Sequence, residues 1–163
     1  MHKNKKVVII GGGHAGCACA KALRHEQFNG EIVLISNESE LPYHRPPLSK
    51  SFIKDADELD LSKLCLQPEN FYEKYQIDLR LNTAVSEIDP DENVVKLYHG
   101  DLIEYDYLVL AMGTRPRQLP LPGTELQGVM SLRTLQDARQ LRIALNSTKN
   151  VVIIGGGFIG LEL

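Results

Sequence analysis

Three glycines at fixed spacing mark the first chemistry in this sequence. Gly11-x-Gly13-x-x-Gly16 follows the apolar run Val7-Val8-Ile9-Ile10. In such a turn the first glycine makes the sharp bend. The second lets backbone approach a pyrophosphate, and the third lets the following helix pack on the strand. The helix N-terminus presents about half a positive charge to the phosphates. His14, inside the turn, either directs an N–H at a phosphate or simply starts the helix. The same run returns almost unchanged at Val151-Val152-Ile153-Ile154-Gly155-Gly156-Gly157-Phe158-Ile159-Gly160. That spacing is far too long for a solenoid and suits the openings of two nucleotide-binding units.

The end of the second strand is where a ribose-binding acid is expected, and it reads Ser36-Asn37-Glu38. Asn37 can accept a ribose hydroxyl bond. Glu38 either reaches the ribose or stands as a solvated loop charge. Next comes Leu41-Pro42-Tyr43-His44-Arg45-Pro46-Pro47-Leu48-Ser49-Lys50, whose three prolines stiffen the backbone. Arg45 and Lys50 are thereby presented at little entropic cost. Two cations beside a nucleotide site suit a diphosphate or an anionic reduced flavin. His44 and Tyr43 sit in the same loop, Tyr43 as a packing residue.

These residues need a scaffold. Lys5 to Ile10 reads as a buried parallel strand, and a helix follows to about Leu23 or His25. Glu31 to Ser36 is a second strand, closing a βαβ unit. Asp55 to Asp60 is an acidic surface stretch. Pro68 to Tyr75 reads as a helix with proline in its first turn, and Ile77 to Leu81 as a short strand. Val85 to Ile88, Val94 to Tyr98 and Leu102 to Tyr105 alternate as a meander. Tyr107 to Ala111 is another buried strand. Arg115 to Pro122 is a proline-rich linker. Thr134 to Leu145 is an amphipathic helix with Thr134 as N-cap and Asp137 at the capping-box position. Val151 to Ile154 reads as a strand, and a further helix opens at the second glycine turn.

Composition excludes several classes. The chain has 163 residues, 43% of them hydrophobic and 24% charged, which are ordinary globular values. Net charge is −3 and tryptophan is absent, so no nucleic-acid surface is expected. No apolar run approaches the roughly 20 residues of a membrane span, and the four-residue run after the basic start is too short for a signal peptide. Cys17, Cys19 and Cys65 are too few, and odd in number, for a secreted disulfide scaffold. Their spacing matches neither a zinc nor an iron–sulfur site. The expectation is a soluble cytoplasmic protein.

The segments at 7–16, 40–50, 107–117, 131–134 and 151–163 together resemble the N-terminal part of the NAD(P)H-dependent ferredoxin and rubredoxin reductases. These are FAD-dependent, glutathione-reductase-like flavoproteins with two dinucleotide-binding domains. The proline loop is specific to this branch, which also includes apoptosis-inducing-factor-like proteins. The resemblance implies an α/β fold: a Rossmann-like FAD-binding domain with a parallel sheet and a β-meander, plus the truncated start of a second Rossmann-like, NAD(P)-binding domain. Residues 1–115 would be the first part of the FAD domain, and 116–163 the linker and the start of the NAD(P) domain.

The resemblance also implies roles. Gly11, Gly13, Ala15 and Gly16 would meet the FAD diphosphate, with His14 beside them. Asn37 occupies the slot of the family's ribose acid, next to Glu38. Val85 would meet the adenine through its backbone. Arg45 and Lys50 would face the flavin, Lys50 near the reactive ring, and Arg133 would reach the FAD. Ala111, Met112, Gly113 and Thr114 would form the strand end that crosses between domains, with Arg115 nearby. Gly155, Gly157, Phe158, Ile159 and Gly160 would take NAD(P)H. Glu162 looks like the glutamate that pairs with the Lys50 position, making Lys50 and Glu162 the catalytic candidates. The implied reaction carries electrons from NAD(P)H through FAD to a small redox protein, a ferredoxin or rubredoxin. No cysteine lies between Asn37 and Leu64, where the disulfide reductases carry their redox pair. A non-catalytic nucleotide-binding or redox-sensing protein is the alternative, as is the flavin part of a nitrite or disulfide reductase. The 163 residues read as a fragment, expected to be inactive alone.

Overall fold

The computed structural model describes residues 5–54 and 60–163. Most of the acidic stretch expected at Asp55 to Asp60 lies outside them. The chain divides into two compact units. The first holds the described residues of Met1–His44 together with Cys65–Gly113. The second holds those of Arg45–Leu64 together with Thr114–Leu163.

In the first unit, β1 (Lys6–Ile10) leads through a glycine turn into α1 (His14–His25), and β2 (Glu31–Ile35) follows. After α3 (Asn70–Lys74) come β3 (Ile77–Arg80), β4 (Val85–Asp89), β5 (Val94–Leu97), β6 (Leu102–Glu104) and β7 (Tyr107–Leu110). Four strands form a parallel sheet in the order β3-β2-β1-β7. Strands β4, β5 and β6 form the expected antiparallel meander.

The continuous apolar runs of β1 and β2 follow from burial on both faces. Val7, Ile9, Ile32 and Leu34 point to one face and pack with Cys17, Ala20, Phe71, Tyr72 and Ile77. Their neighbours Val8, Ile10, Val33 and Ile35 point to the other and pack with Val95, Leu97 and Ile103 of the meander. Each such side chain contributes about 1.5–3 kcal/mol when taken fully out of water.

At the far end of α1, Arg24 ties several elements together. Its guanidinium donates to the carbonyls of Phe28 (2.6 Å), Gly30 (2.9 Å), Tyr75 (2.8 Å) and Gln76 (2.8 Å). One side chain thus satisfies the backbone where α1, β2 and α3 converge.

Strand β7 differs from the buried strand expected. It is the edge of the sheet, and Tyr107 and Leu110 are 55% and 56% exposed. Its only ladder among the described residues is to β1.

In the second unit, the proline loop closes into a tight 3-10 turn, Pro46–Ser49, followed by α2 (Ser51–Lys54). The Arg115 to Pro122 segment carries no helix or strand. Helix α4 (Leu135–Ser147) packs on the turn and on α2, burying Leu135 and Ala138. The capping box anticipated at its start is present. The Thr134 hydroxyl accepts from the Asp137 N–H at 3.2 Å, and the Asp137 carboxylate accepts from the Thr134 N–H at 2.8 Å. The last element is α5 (Phe158–Glu162).

Val151 to Ile154 is not a strand. Val152 is 87% exposed and Ile154 72%, and no ladder partner lies beside them among the described residues. A β-run needs neighbours for its N–H and C=O groups, and the apolar pattern alone does not supply them.

Candidate functional site

In the first unit, β1 lies between β2 and β7, so chain order reverses at its end. Ligands of parallel sheets bind outside the carboxyl ends of strands at such a reversal. The glycine turn sits there. The Gly11 N–H donates to the Ile35 carbonyl (2.8 Å) and the Ala111 N–H to the Ile10 carbonyl (2.8 Å). Gly11 has φ +122°, and a Cβ on it would collide with the Ala111 carbonyl oxygen. A Cβ on Gly12 would stand 2.6 Å from the Ser36 Cβ, and one on Gly16 would strike the Gly11 carbonyl oxygen. The turn is therefore wedged between the ends of β2 and β7.

Gly13 is different. A Cβ there would meet nothing within 4 Å. It is the N-cap of α1, no side chain caps it, and the Cys17 N–H donates to its carbonyl at 3.0 Å. An uncapped twelve-residue helix opening onto a bare glycine edge fits an anionic phosphate. Ala15 is exposed in the first turn of this helix.

Around this cradle the predicted residues fall unevenly. Asn37 is exposed. Glu38 is half-buried and is not a solvated charge, because the Tyr43 hydroxyl donates to its carboxylate at 2.5 Å. Its main chain is fixed as well, by the Asn82 N–H on its carbonyl (2.9 Å). Tyr43, a packing residue by sequence, is buried and also orients an acid. His14 Nε2 lies 3.0 Å from His44 Nδ1, pairing the helix start with the end of the first unit's loop. Val85 opens β4, half-buried against the meander core. Ala111 and Gly113 follow β7.

Cys17 is buried with its sulfur 3.6 Å from the Tyr72 hydroxyl oxygen. Burial pushes the Cys17 thiol up from its ordinary value, and burial also raises the Tyr72 phenol. Cys19 and Cys65 are half-buried, and Cys65 forms an isolated antiparallel bridge with Tyr43.

The second unit holds a cavity of about 340 Å³ lined by Arg45, Ser49, Lys50, Arg133, Ile159 and Glu162, among others. The Arg45 guanidinium donates to the Arg133 carbonyl at 2.8 Å. Lys50 Nζ stands 3.4 Å from Glu162 Oε1, while the Ser49 hydroxyl donates to Glu162 Oε2 at 2.6 Å. The Ser49 bond, and then Lys50 and Lys54, hold the Glu162 carboxyl below its ordinary range. Cationic side chains and a fixed carboxylate around one cavity suit a polar ligand with an anionic part. Four residues predicted from sequence meet here: Arg45, Lys50, Arg133 and Glu162. Thr114 and Arg115 are exposed and do not line the cavity.

The second glycine turn copies the first. Gly155 has φ +111°, and Gly157 caps α5 with φ −78° and ψ 171°, against −85° and −169° at Gly13. A Cβ on Gly160 would stand 2.8 Å from the Gly155 carbonyl oxygen, as one on Gly16 would crowd Gly11. Around Gly155 and Gly157, however, nothing lies within 4 Å of an added Cβ. Phe158 is 88% exposed and Ile159 54%.

Residues 5–163 match the family model described as pyridine nucleotide-disulphide oxidoreductase. The chain belongs to the pyridine nucleotide-disulphide oxidoreductase family. Among relatives in this family, a probable ferredoxin reductase of Castellaniella defragrans is 42% identical over 163 residues, 100% of this chain and 39% of that one. A rubredoxin-NAD(+) reductase of Pseudomonas putida is 43% identical over 157 residues, 96% of this chain and 40% of that one. The crystal structure of a ferredoxin reductase from Rhodopseudomonas palustris superposes with a TM-score of 0.91 at 42% identity, covering 98% of this chain and 39% of that one. The chain thus spans about two-fifths of the length of these relatives.

Sequence reasoning named Ser49, Ser36 and Tyr43 without finding the contacts they make. Ser49 lies between two residues already noted, Leu48 and Lys50, and its hydroxyl beside a cation was the available signal. Ser36 abuts Gly12, and Tyr43 holds Glu38; neither contact is visible before the strand ends are brought together.

Proposed function

We propose that the protein carrying this chain is a flavin-dependent oxidoreductase. It takes a hydride from NAD(P)H and passes electrons through FAD to a small iron–sulfur or rubredoxin-type protein in the cytoplasm. The observation that carries this reading is the unbroken family match from the first glycine turn through the second. Two dinucleotides that must meet need two cradles, and the two turns share one backbone geometry. The relatives named as ferredoxin and rubredoxin reductases support the acceptor class.

Within this reading, Gly11, Gly13, Ala15 and Gly16 hold the FAD diphosphate, His14 flanks it, and Glu38 with Asn37 serves the ribose. Val85 meets the adenine through its backbone. Ala111, Gly113, Thr114 and Arg115 carry the chain past the cofactor. Arg45, Lys50 and Arg133 supply positive charge on the flavin side. Gly155, Gly157, Phe158, Ile159 and Gly160 receive NAD(P)H. When bound, the flavin accepts two electrons together and gives them up singly. Lys50 steadies negative charge that develops beside it, with the Glu162 carboxylate as its counter-charge at 3.4 Å. The domain boundary falls near residue 115.

The test is a purified protein of the relatives' length. The expected result is stoichiometric FAD, bleaching of the flavin by NADH or NADPH, and reduction of added ferredoxin or rubredoxin. The 163 residues alone should turn over no acceptor. Flavin that bleaches while no small redox protein is reduced would favour a redox-sensing role. A protein that takes up no flavin would overturn the reading.

A further inference from the structure

We propose that Ser49 is a positioning residue that fixes the Glu162 carboxylate through its own hydroxyl and so leaves the Lys50 ammonium loosely held and able to move to a ligand in the cavity. The inference rests on the proposed flavin-facing role of that cavity.

The geometry divides the carboxylate between two partners. Oε2 takes the short Ser49 hydroxyl bond at 2.6 Å, and Oε1 takes the longer Lys50 contact at 3.4 Å. Ser49 is buried, 6% exposed, whereas the Lys50 side chain is 55% exposed. The rigid partner is therefore the neutral one. Its rigidity is built locally: Pro46 and Pro47 open the turn, the Leu48 N–H donates to the Arg45 carbonyl, and the Lys50 N–H donates to the Pro47 carbonyl, both at 3.0 Å. The Ser49 hydroxyl has a second acceptor, the Pro46 carbonyl, at 3.5 Å. The carboxylate is nearer and charged, so it wins the proton.

The consequence is chemical. A glutamate tied only to Lys50 would lose its orientation whenever the ammonium turned to an anionic ligand. With Ser49 in place the carboxylate stays ionised and oriented without the lysine. The charged groups around it are Lys50 and Lys54, and Arg45 and Arg133 line the same cavity. The hydroxyl's contribution to the depressed Glu162 ionisation agrees with this division.

The experiment compares wild type, Ser49→Ala and Ser49→Thr in the FAD-loaded protein. Carbon-13 carboxyl NMR follows Glu162, its signal assigned by loss in Glu162→Gln, and stopped-flow absorbance follows flavin reduction. In Ser49→Ala the Glu162 midpoint should move up in pH, and flavin reduction should slow by roughly tenfold with little change in nucleotide affinity. Ser49→Thr, which keeps the hydroxyl, should restore both. If threonine does not fit the buried site, Ser49→Cys, a weak donor, should give an intermediate midpoint. An unmoved midpoint in Ser49→Ala, or a moved midpoint with wild-type reduction rates, overturns the proposal. Failure of the proposed function reads differently: the protein then takes up no flavin, while the midpoint still judges Ser49.

Discussion

Glycine is required at position 11 for two separate physical reasons. Its φ of +122° is costly for any side-chain-bearing residue, and a Cβ would enter the Ala111 carbonyl oxygen. Gly11→Ala should therefore lower unfolding free energy by roughly 2–4 kcal/mol in urea melts. Gly13→Ala has open space and an extended backbone, so its cost should stay within about 0.5–1 kcal/mol. Equal costs at the two sites would contradict the wedge. The glycine spacing was legible in sequence because each role is local. The partner of Glu38 was not, since the Tyr43 hydroxyl reaches it only after the loop folds back. Ser49 was hidden for the same reason: Glu162 lies far along the chain.

Elements show where local rules suffice. Helix α4 begins at Thr134 because side chain and backbone satisfy one another reciprocally there, and Asp137 also accepts from the Arg133 N–H at 3.0 Å. Thr134→Ala should cost about 1 kcal/mol, measured as a lower midpoint for loss of helical circular dichroism. An unchanged midpoint would mean the box carries no stability. The same logic fails for strands. Val7 to Ile10 and Val151 to Ile154 are the same four residues in the same order, yet only the first is a strand. The first pairs with β2 on one side and β7 on the other, and the second has no ladder partner among the described residues. The expectation of a buried strand at Tyr107 misread an edge for the same reason, because burial is a property of neighbours.

At the scale of the whole molecule, the first unit's core holds two groups that resist losing protons. Burial raises both Cys17 and Tyr72, which touch across the packing of α1 on α3. The folded state keeps these protons at a pH where the unfolded chain releases them. Stability is then complete below the ordinary thiol value of 9.0 and falls as pH rises above it. The expected slope is about 1.4 kcal/mol per pH unit for each proton withheld, read from urea melts between neutral and strongly alkaline pH. Melts that stay level across this range would show that the two groups ionise freely in the fold.

The sequence by itself determined the βαβ opening, the meander, both glycine turns and the α4 cap. Each rests on contacts within a few residues or on a repeating burial pattern, and the second turn repeats the backbone of the first although no strand among the described residues pairs beside it. Only the tertiary structure decided that β1 sits at the reversal of strand order, that Ala111 and Ser36 wall the first turn, and that Ser49 shares Glu162 with Lys50. Those facts depend on which distant segments become neighbours. Spacing along the chain does not encode that, because hydrogen-bond ladders and close contacts are satisfied by whatever the fold brings within reach.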